Sequence, residues 1–493
     1  MISRMDRQGS TSPAEQAVRG DGGLEERSLS LLHLVFQSLT SMGPATAVAV
    51  GLLVVIPFSG PTLPLFLIAA LLICLAVATC IGQMAKHIPS AGGWYAYAAR
   101  GLGPELGFLV GWLTLLQIPA SMMLFLLSLA FVVQDVVTNP LRGLGWATSP
   151  WWLWALIGAG FMLGLAYRGI RLAMTVGIVI GSIEVALFGA LAIWILFANA
   201  AENTLAVLDP RNAVSTNIDL YFKGLVLAVL VFVGFEGAAP LAEEARDPRR
   251  TIPRAIVGTT LAIGLFVVLC AYATVVGFGF DGFTEAALSS GNPWVELAAT
   301  YWGSGWILIF VAVLTSLLGL GNAVLNGSSR VVYSLARNGA LPAILASTHA
   351  EYRTPHVAIV TIMAVGVAFT LLAGWQWDLL TGIGVAAVAV TLGAMLIYIA
   401  VCVSTFRFFW RERRDEFNVW LHALFPLLSI AALVAVVYYQ YQPLPPYPVV
   451  LANWIVIGWI VVGIAAMLWL RATRPSALAN AGRLFVETGL SER

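Results

Sequence analysis

The sequence predicts an all-helical (all-α) membrane protein with about 12 transmembrane helices. Three observations predict this fold class. Hydrophobic residues make up 59% of the 493 residues and charged residues only 10%, whereas soluble domains carry about a quarter charged residues. Apolar runs of about 20 residues, each long enough to cross a bilayer, recur from residue 31 to residue 470. Lysine and arginine residues also fall mostly in the segments on one side of the predicted membrane.

The apolar runs are separated by Pro, Gly or charged residues, which favours twelve separate spans. We place these spans at 31–58, 62–84, 105–136, 151–168, 171–198, 222–245, 254–277, 295–334, 356–374, 378–406, 419–439 and 448–470.

The positive charges predict that both termini are cytoplasmic. With this orientation 23 of the 26 Lys and Arg residues lie in cytoplasmic segments, and only Arg142, Arg211 and Lys223 lie outside. Positive residues are retained on the cytoplasmic side of membrane proteins. We therefore expect a multi-pass protein of the cell membrane, inner or plasma, with the 278–293 loop outside.

Two predicted spans are interrupted. The first contains Ser-Met-Gly-Pro at 41–44, and the sixth contains Gly-Phe-Glu-Gly at 234–237 with Pro240 just after. Proline removes a backbone donor and glycine loosens a helix. Because the two spans are five apart, they hold matching positions in two five-span halves, a pattern typical of inverted repeats with a binding site at the midplane. The alternative is ordinary packing, since Gly and Pro are common in membrane helices.

Three stretches resemble the motifs of the amino acid–polyamine–organocation permeases. They follow span two, lie in and after span six, and follow span eight. They read Pro-Ser-Ala-Gly-Gly-Trp-Tyr-Ala-Tyr at 89–97 with Arg-Gly-Leu-Gly-Pro at 100–104; Gly-Phe-Glu at 234–236 with Leu-Ala-Glu-Glu at 241–244; and Asn-Gly-Ser-Ser-Arg at 326–330 with Ala-Arg-Asn-Gly-Ala-Leu-Pro at 336–342.

The resemblance implies a leucine-transporter-type fold, a 5+5 inverted repeat with two peripheral helices. The chain would then divide into a disordered cytoplasmic tail (1–28), a first five-helix repeat (29–198), a second inverted repeat (220–406), two peripheral helices (407–471) and a cytoplasmic tail (472–493).

The resemblance also implies that substrate binds where spans one and six are unwound. We expect 41–45 and 233–237 to be non-helical and to face one cavity. Free N–H groups there would bind a carboxylate and free carbonyls an ammonium. The candidate substrate-binding residues are Ser41, Met42, Gly43, Pro44, Ala45, Phe232, Gly234, Phe235 and Gly237.

The first break departs from the family pattern. Members that take α-amino acids often carry Gly-x-Gly there, but this chain has Pro44, which offers no N–H. The predicted substrate is therefore an amino acid or a related amine, and a polyamine or other organocation is the alternative. The two phenylalanines could form a lid over the substrate or simply pack.

Two glutamates lie deep in predicted spans, where a charged group is costly and marks a candidate functional site. The resemblance links Glu236 to gating and proton coupling. Glu184 lies where proton-coupled relatives often carry a lysine, and Thr315 and Ser316 are its possible partners. Burial favours the protonated form of a carboxyl group, so we expect proton-linked transport through one of them, with sodium as the alternative ion. Structural hydrogen bonding is the alternative role for both.

Charged residues also cluster at the predicted cytoplasmic mouth. Glu243, Glu244, Arg246 and Arg254 lie at the end of span six or shortly after it. They could form salt bridges of a gate or only a solvated helix end.

The predicted function is secondary transport, not an enzyme. The five histidines fall near span ends, and the four cysteines form no Cys-x-x-Cys pair, so we expect no metal, no cofactor and no nucleic acid. The expected partners are a small-molecule substrate, a coupling ion and the lipid bilayer. A non-transporting sensor on the same fold is the alternative.

Overall fold

The computed structural model of the chain describes residues 24, 27–138, 149–215 and 217–473. The predicted tails, 1–28 and 472–493, therefore lie almost entirely outside the described residues. The same holds for Arg142, one of the three positive charges expected on the outside.

Helices form nearly all of the regular structure in the described part of the chain, and Leu29 and Ala245 add one isolated β-bridge. The α-helices are α1 (Leu31–Met42), α2 (Leu52–Ser59), α3 (Leu63–His87), α4 (Trp94–Leu102), α5 (Pro104–Thr138), α6 (Trp151–Tyr167), α7 (Ile170–Ala198), α8 (Ile218–Leu230), α9 (Pro248–Phe278), α10 (Phe283–Ser289), α11 (Pro293–Trp302), α12 (Trp306–Arg337), α13 (His356–Gln376), α14 (Leu379–Arg411), α15 (Phe425–Tyr441) and α16 (Val450–Thr473).

The helix lengths confirm a multi-pass, all-helical membrane protein. Among the described residues, nine stretches are long and apolar enough to cross a membrane, or ten if α8 and the bent segment after it form one span. The stretch Leu31–His87 counts as one of the nine because its helices are joined by short links. Helix α6 is apolar but has only 17 residues, so it is not counted among the nine stretches. The layout of twelve spans stays a prediction.

The predicted eighth span, 295–334, lies within one apolar stretch, Pro293–Arg337, that is long enough to cross a membrane, but this stretch is not one continuous helix. It is divided into α11 and α12 by a short 3₁₀ turn at Gly303–Gly305. Gly303 has a φ of 55°, a left-handed conformation that glycine adopts without steric cost. The helix therefore ends there, although the sequence is apolar on both sides.

The first predicted break is narrower than expected. Helix α1 ends at Met42, Gly43 has a φ of 58°, and Pro44–Thr46 already form a helical turn. A π-helical segment, Ala47–Gly51, then leads into α2. Proline suits the first turn of a helix because its missing N–H would be unpaired there in any case. The chain thus kinks at one glycine and continues.

The second break begins earlier than predicted. Helix α8 ends at Leu230, residues 231–234 form turns, and a 3₁₀ helix runs over Phe235–Leu241. Gly234 has a φ of 113°, and the two helical parts are bent by 40°. The part that leaves helical geometry is therefore 231–234, whereas Phe235–Leu241 is helical but tighter.

The two breaks lie against each other in the core. The 3₁₀ helix Phe235–Leu241 packs on α1 and α12, and α3 packs along α9. Helix α5 packs against α12, α13 and α14 on the other side. This arrangement places both breaks between the α3–α9 pair and the helices around α5.

Candidate functional site

A cavity of about 240 Å³ lies beside both breaks. Its wall comes from the first broken helix between residues 41 and 54, from 230–240, and from α5, α12 and α14. Val54 lies in this wall and is 41% exposed. The cavity is therefore reached from the end of the molecule where α2 ends.

Some of the predicted site residues line this cavity and others do not. The lining includes Ser41, Met42, Gly234, Glu236 and Gly237. The remaining candidates for substrate binding lie behind the wall: Gly43, Pro44, Ala45, Phe232 and Phe235. Both phenylalanines are fully buried, and the Phe235 ring packs 5.4 Å from the Tyr398 ring. These contacts are those of packing residues.

Glu236 is the acidic residue in the cavity wall. It is 8% exposed, and its Oε2 accepts a hydrogen bond of 3.2 Å from the N–H of Gly234. The hydroxyl of Tyr398, on α14, lies beside the same carboxylate. The local backbone break thus orients Glu236, because it frees the N–H that holds the carboxylate.

Glu184 occupies a different place, behind the first break. It lies on α7, is 2% exposed and is absent from the cavity lining. Its carboxyl group interacts with the Ser316 hydroxyl and with the backbone N–H of Ala45. Acidic groups are favourable at a helix N-terminus, so Glu184 caps the helical half that starts after Gly43.

Ser316 completes this cap, while Thr315 does not take part. The Ser316 hydroxyl accepts a hydrogen bond of 3.2 Å from the N–H of Thr46. The Thr315 hydroxyl instead donates back to the carbonyls of Val311 and Ala312. Of the two predicted partners of Glu184, the structure brings only Ser316 to it.

Glycine lets the two breaks approach closely. A Cβ added to Gly234 would overlap the carbonyl oxygen of Ser41, and one added to Gly237 would overlap the Ser41 hydroxyl. That hydroxyl is buried, lines the cavity and lacks a hydrogen-bond partner in the described chain. It is therefore free to contact a ligand.

The polar side chains that α5 and α12 contribute to the cavity were not predicted from the sequence. Gln117, Ser121 and Ser128 of α5 and Ser328 of α12 lie in its wall. Hydroxyl and amide residues are common on membrane helices and give no sequence signal of which face meets a cavity.

Residues 33–477 match the profile described as amino acid permease. The chain belongs to this family. As a permease it is a secondary transporter of small molecules, and the resemblance seen in the sequence motifs is confirmed.

Named relatives of the permease differ in what they carry. It is 26% identical to the low-affinity putrescine importer PlaP of Escherichia coli (strain K12), over 79% of this chain and 83% of that one. It is 24% identical to the branched-chain amino acid permease BcaP of Bacillus subtilis (strain 168), over 61% of this chain and 65% of that one. Identity to the methylthioribose transporter of the same organism is 24%, over 79% and 84%.

The end of the permease opposite the cavity mouth carries a buried ion pair. Arg330 Nε and Nη2 donate to the two carboxylate oxygens of Glu244 at 2.9 and 3.1 Å. The side chains are 0% and 1% exposed. Because the pair joins α12 to the segment after the 3₁₀ helix, it closes this end below the cavity.

A second ion pair lies nearer the surface. Arg337 donates to Glu243 at 2.7 and 3.0 Å, and Glu243 also accepts 3.0 Å from the N–H of Ala91. We call Glu243, Glu244, Arg330 and Arg337 the ion-pair cluster. The sequence indicated charges at this mouth, but the arginine partners come from α12 rather than from the two arginines that follow span six.

The chain just before α1 lies across the same end. Leu29 donates its N–H to the Glu244 carbonyl at 3.0 Å and accepts 2.8 Å from the N–H of Arg246. Leu29 is fully buried. This short backbone pairing ties the start of α1 to the ion-pair cluster.

Proposed function

We propose that this permease carries a small amine or amino acid across the cell membrane by alternating access, linked to the movement of a proton. The observation that most directly supports this proposal is the carboxylate of Glu236 in the wall of a cavity at two helix breaks. An ionisable group at membrane depth is costly and is retained for function. The cavity would hold the substrate.

The twelve-span layout with a 5+5 inverted repeat is part of this proposal. It is supported by the breaks at Gly43 and Gly234, which fall at matching positions of the two halves. It is also supported by the packing of α3 along α9, the second helices of the two halves. Breaks at such positions line a central site in inverted-repeat transporters.

Alternating access is supported by the contrast between the two ends of the cavity. One end is reached past Val54, and the other is closed by the ion-pair cluster. Transport requires the reverse arrangement in a second conformation, in which the cluster separates. The relatives that carry putrescine or amino acids support the range of substrates.

Both termini are proposed to be cytoplasmic, so the cavity in this conformation faces outward. A reporter active only in the cytoplasm, fused after Arg493, should be active, and the same reporter inserted within 278–293 should be silent. The skew of positive charge is the physical reason. The opposite pattern of activity would rule out this orientation.

Proton coupling predicts a specific effect of two substitutions. Glu184→Gln and Glu236→Gln keep the side-chain shape but cannot change charge. At least one should abolish the stimulation of uptake by an inward proton gradient in proteoliposomes, while substrate exchange stays measurable. Because only Glu236 lines the cavity, Glu184→Gln should leave the KM for exchange nearly unchanged.

Glu285→Gln serves as the control, since Glu285 is an exposed carboxylate on α10. It should keep the full response to the proton gradient. Uptake that needs sodium and ignores the proton gradient would contradict proton coupling, and it would favour a cation site near Glu184.

A further inference from the structure

The first break offers a ligand few backbone N–H groups. The N–H of Gly43 donates to the carbonyls of Leu39 and Thr40 at 3.2 and 3.1 Å, and that of Ala47 donates to the Gly43 carbonyl at 2.7 Å. Pro44 has none. The two remaining N–H groups, those of Ala45 and Thr46, also contact protein groups.

Side chains that lie outside the cavity contact those two donors. The Ala45 N–H meets the Glu184 carboxyl group, and the Thr46 N–H donates to Ser316. A carboxylate of a substrate is normally held in such sites by free N–H groups at a half-helix N-terminus. Here the carboxyl group of Glu184 lies at that position, which disfavours a substrate carboxylate at this break because like charges repel.

The second break also places a helix end beside the cavity. Helix α8 ends at Leu230 beside the cavity, and α1 ends at Met42 in the wall of the same cavity. The C-terminal end of a helix carries partial negative charge. Two such ends and the Glu236 carboxylate therefore face the same cavity, which favours a cation.

The charge of the cavity wall is that of a single carboxylate. Among the described lining residues, Glu236 is the acidic one, and Lys, Arg and His are absent. A second ammonium would thus meet no second carboxylate, and a substrate carboxylate would meet no cation. The remaining polar groups are neutral, such as the Ser41 and Thr46 hydroxyls, which can accept from an ammonium group.

The rest of the wall is apolar and suits a hydrocarbon body. The apolar lining residues include Val50, Val54, Leu124, Val231, Ile383 and Val390. Burial of the substrate's apolar surface against these side chains would increase its affinity.

We infer that the cavity selects an organic monoamine, a molecule with one ammonium group, an apolar body and no carboxylate. The inference rests on the proposed function of this cavity as the transport site. The ammonium binds between the Glu236 carboxylate and the Ser41 end of α1, and the apolar body extends toward Val54.

Matched compounds test the inference on the full-length protein in detergent. The compounds are 3-methylbutylamine, leucine, which is the same amine bearing a carboxylate, and 1,4-diaminobutane, which has a second ammonium. We expect 3-methylbutylamine to bind at least about tenfold more tightly than either of the others in calorimetric titration. Glu236→Gln should weaken its binding about 10- to 100-fold, and Glu285→Gln should not change it.

Each of the following results would contradict the inference. Tighter binding of leucine would overturn the absence of a carboxylate site, tighter binding of the diamine would overturn the single ammonium site, and binding of none of the three would overturn the inference as a whole. Equal affinity of wild type and Glu236→Gln for the monoamine would also overturn it.

Uptake into proteoliposomes at pH 6 separates the inference from the proposed function. Fewer than about one in ten thousand alkylamine molecules are then uncharged, which limits leakage through the lipid, and empty liposomes measure what remains. Preferential binding of the amine without uptake above empty liposomes would refute the transport role alone. Preferential uptake of leucine would refute the monoamine and leave the transport role intact.

Discussion

Arg330→Met is expected to open the closed end of the permease. The substitution keeps the length of the side chain but leaves the Glu244 carboxylate buried and unpaired. Loss of one partner of a buried ion pair costs about 3–5 kcal/mol. The closed conformation should therefore lose more than about 100-fold in population against any conformation that hydrates Glu244.

Thiol labelling measures this opening. Ser328 lies on α12 in the cavity wall, and the four native cysteines are all buried, so background labelling should be low. Ser328→Cys should react slowly with a membrane-impermeant reagent applied from the cytoplasmic side. Adding Arg330→Met should raise that rate by more than about 100-fold.

Arg337→Met is the matched control for this experiment. Its ion pair with Glu243 is partly exposed, at 36% and 26% of the two side chains, and exposed pairs contribute only about 0–1 kcal/mol. A labelling rate for Arg330→Met no greater than for Arg337→Met would contradict the assignment of the buried pair as the closing contact.

Gly234→Ala is expected to abolish transport, with uptake reduced at least about 100-fold. An alanine there must adopt a φ of 113°, and its Cβ would overlap the Ser41 carbonyl. Left-handed backbone alone costs about 1–2 kcal/mol for an L-residue. The overlap must also push the two breaks apart, which would disturb the cavity wall on both sides.

The control is Gly258→Ala in α9. An added Cβ at Gly258 meets no atom within 4 Å, and alanine is favoured over glycine in a helix interior by about 1 kcal/mol. This variant should keep wild-type uptake. If Gly234→Ala is produced in normal amounts and transports normally, the close contact of the breaks has no functional role; if it is not produced, glycine there serves folding.

The positions of the breaks could be predicted from the sequence, because the cause is local. Gly43 and Gly234 both adopt positive φ, and Pro44 begins the helical turn that follows Gly43. The extents of the breaks could not be predicted. They depend on partners such as Ser316, which lies 270 residues from Thr46 and satisfies its N–H.

Contacts between residues that are far apart in the sequence could not be predicted either. Glu236 was identified from its depth in a span, and the structure brings it to the cavity. The pairing of Glu244 with Arg330 spans 86 residues, and no periodicity in the sequence around either residue indicates it. In the same way, nothing in the sequence around Glu184 signals that α7 passes the first break.

The most direct test is a structure of the purified permease with its transported compound bound. We expect density in the cavity at the two breaks, with a nitrogen of the compound within hydrogen-bond distance of the Glu236 carboxylate and close to Ser41. Density elsewhere, such as in the small pocket between α1, α7 and α12 that Thr40 and Gly177 line, would contradict it.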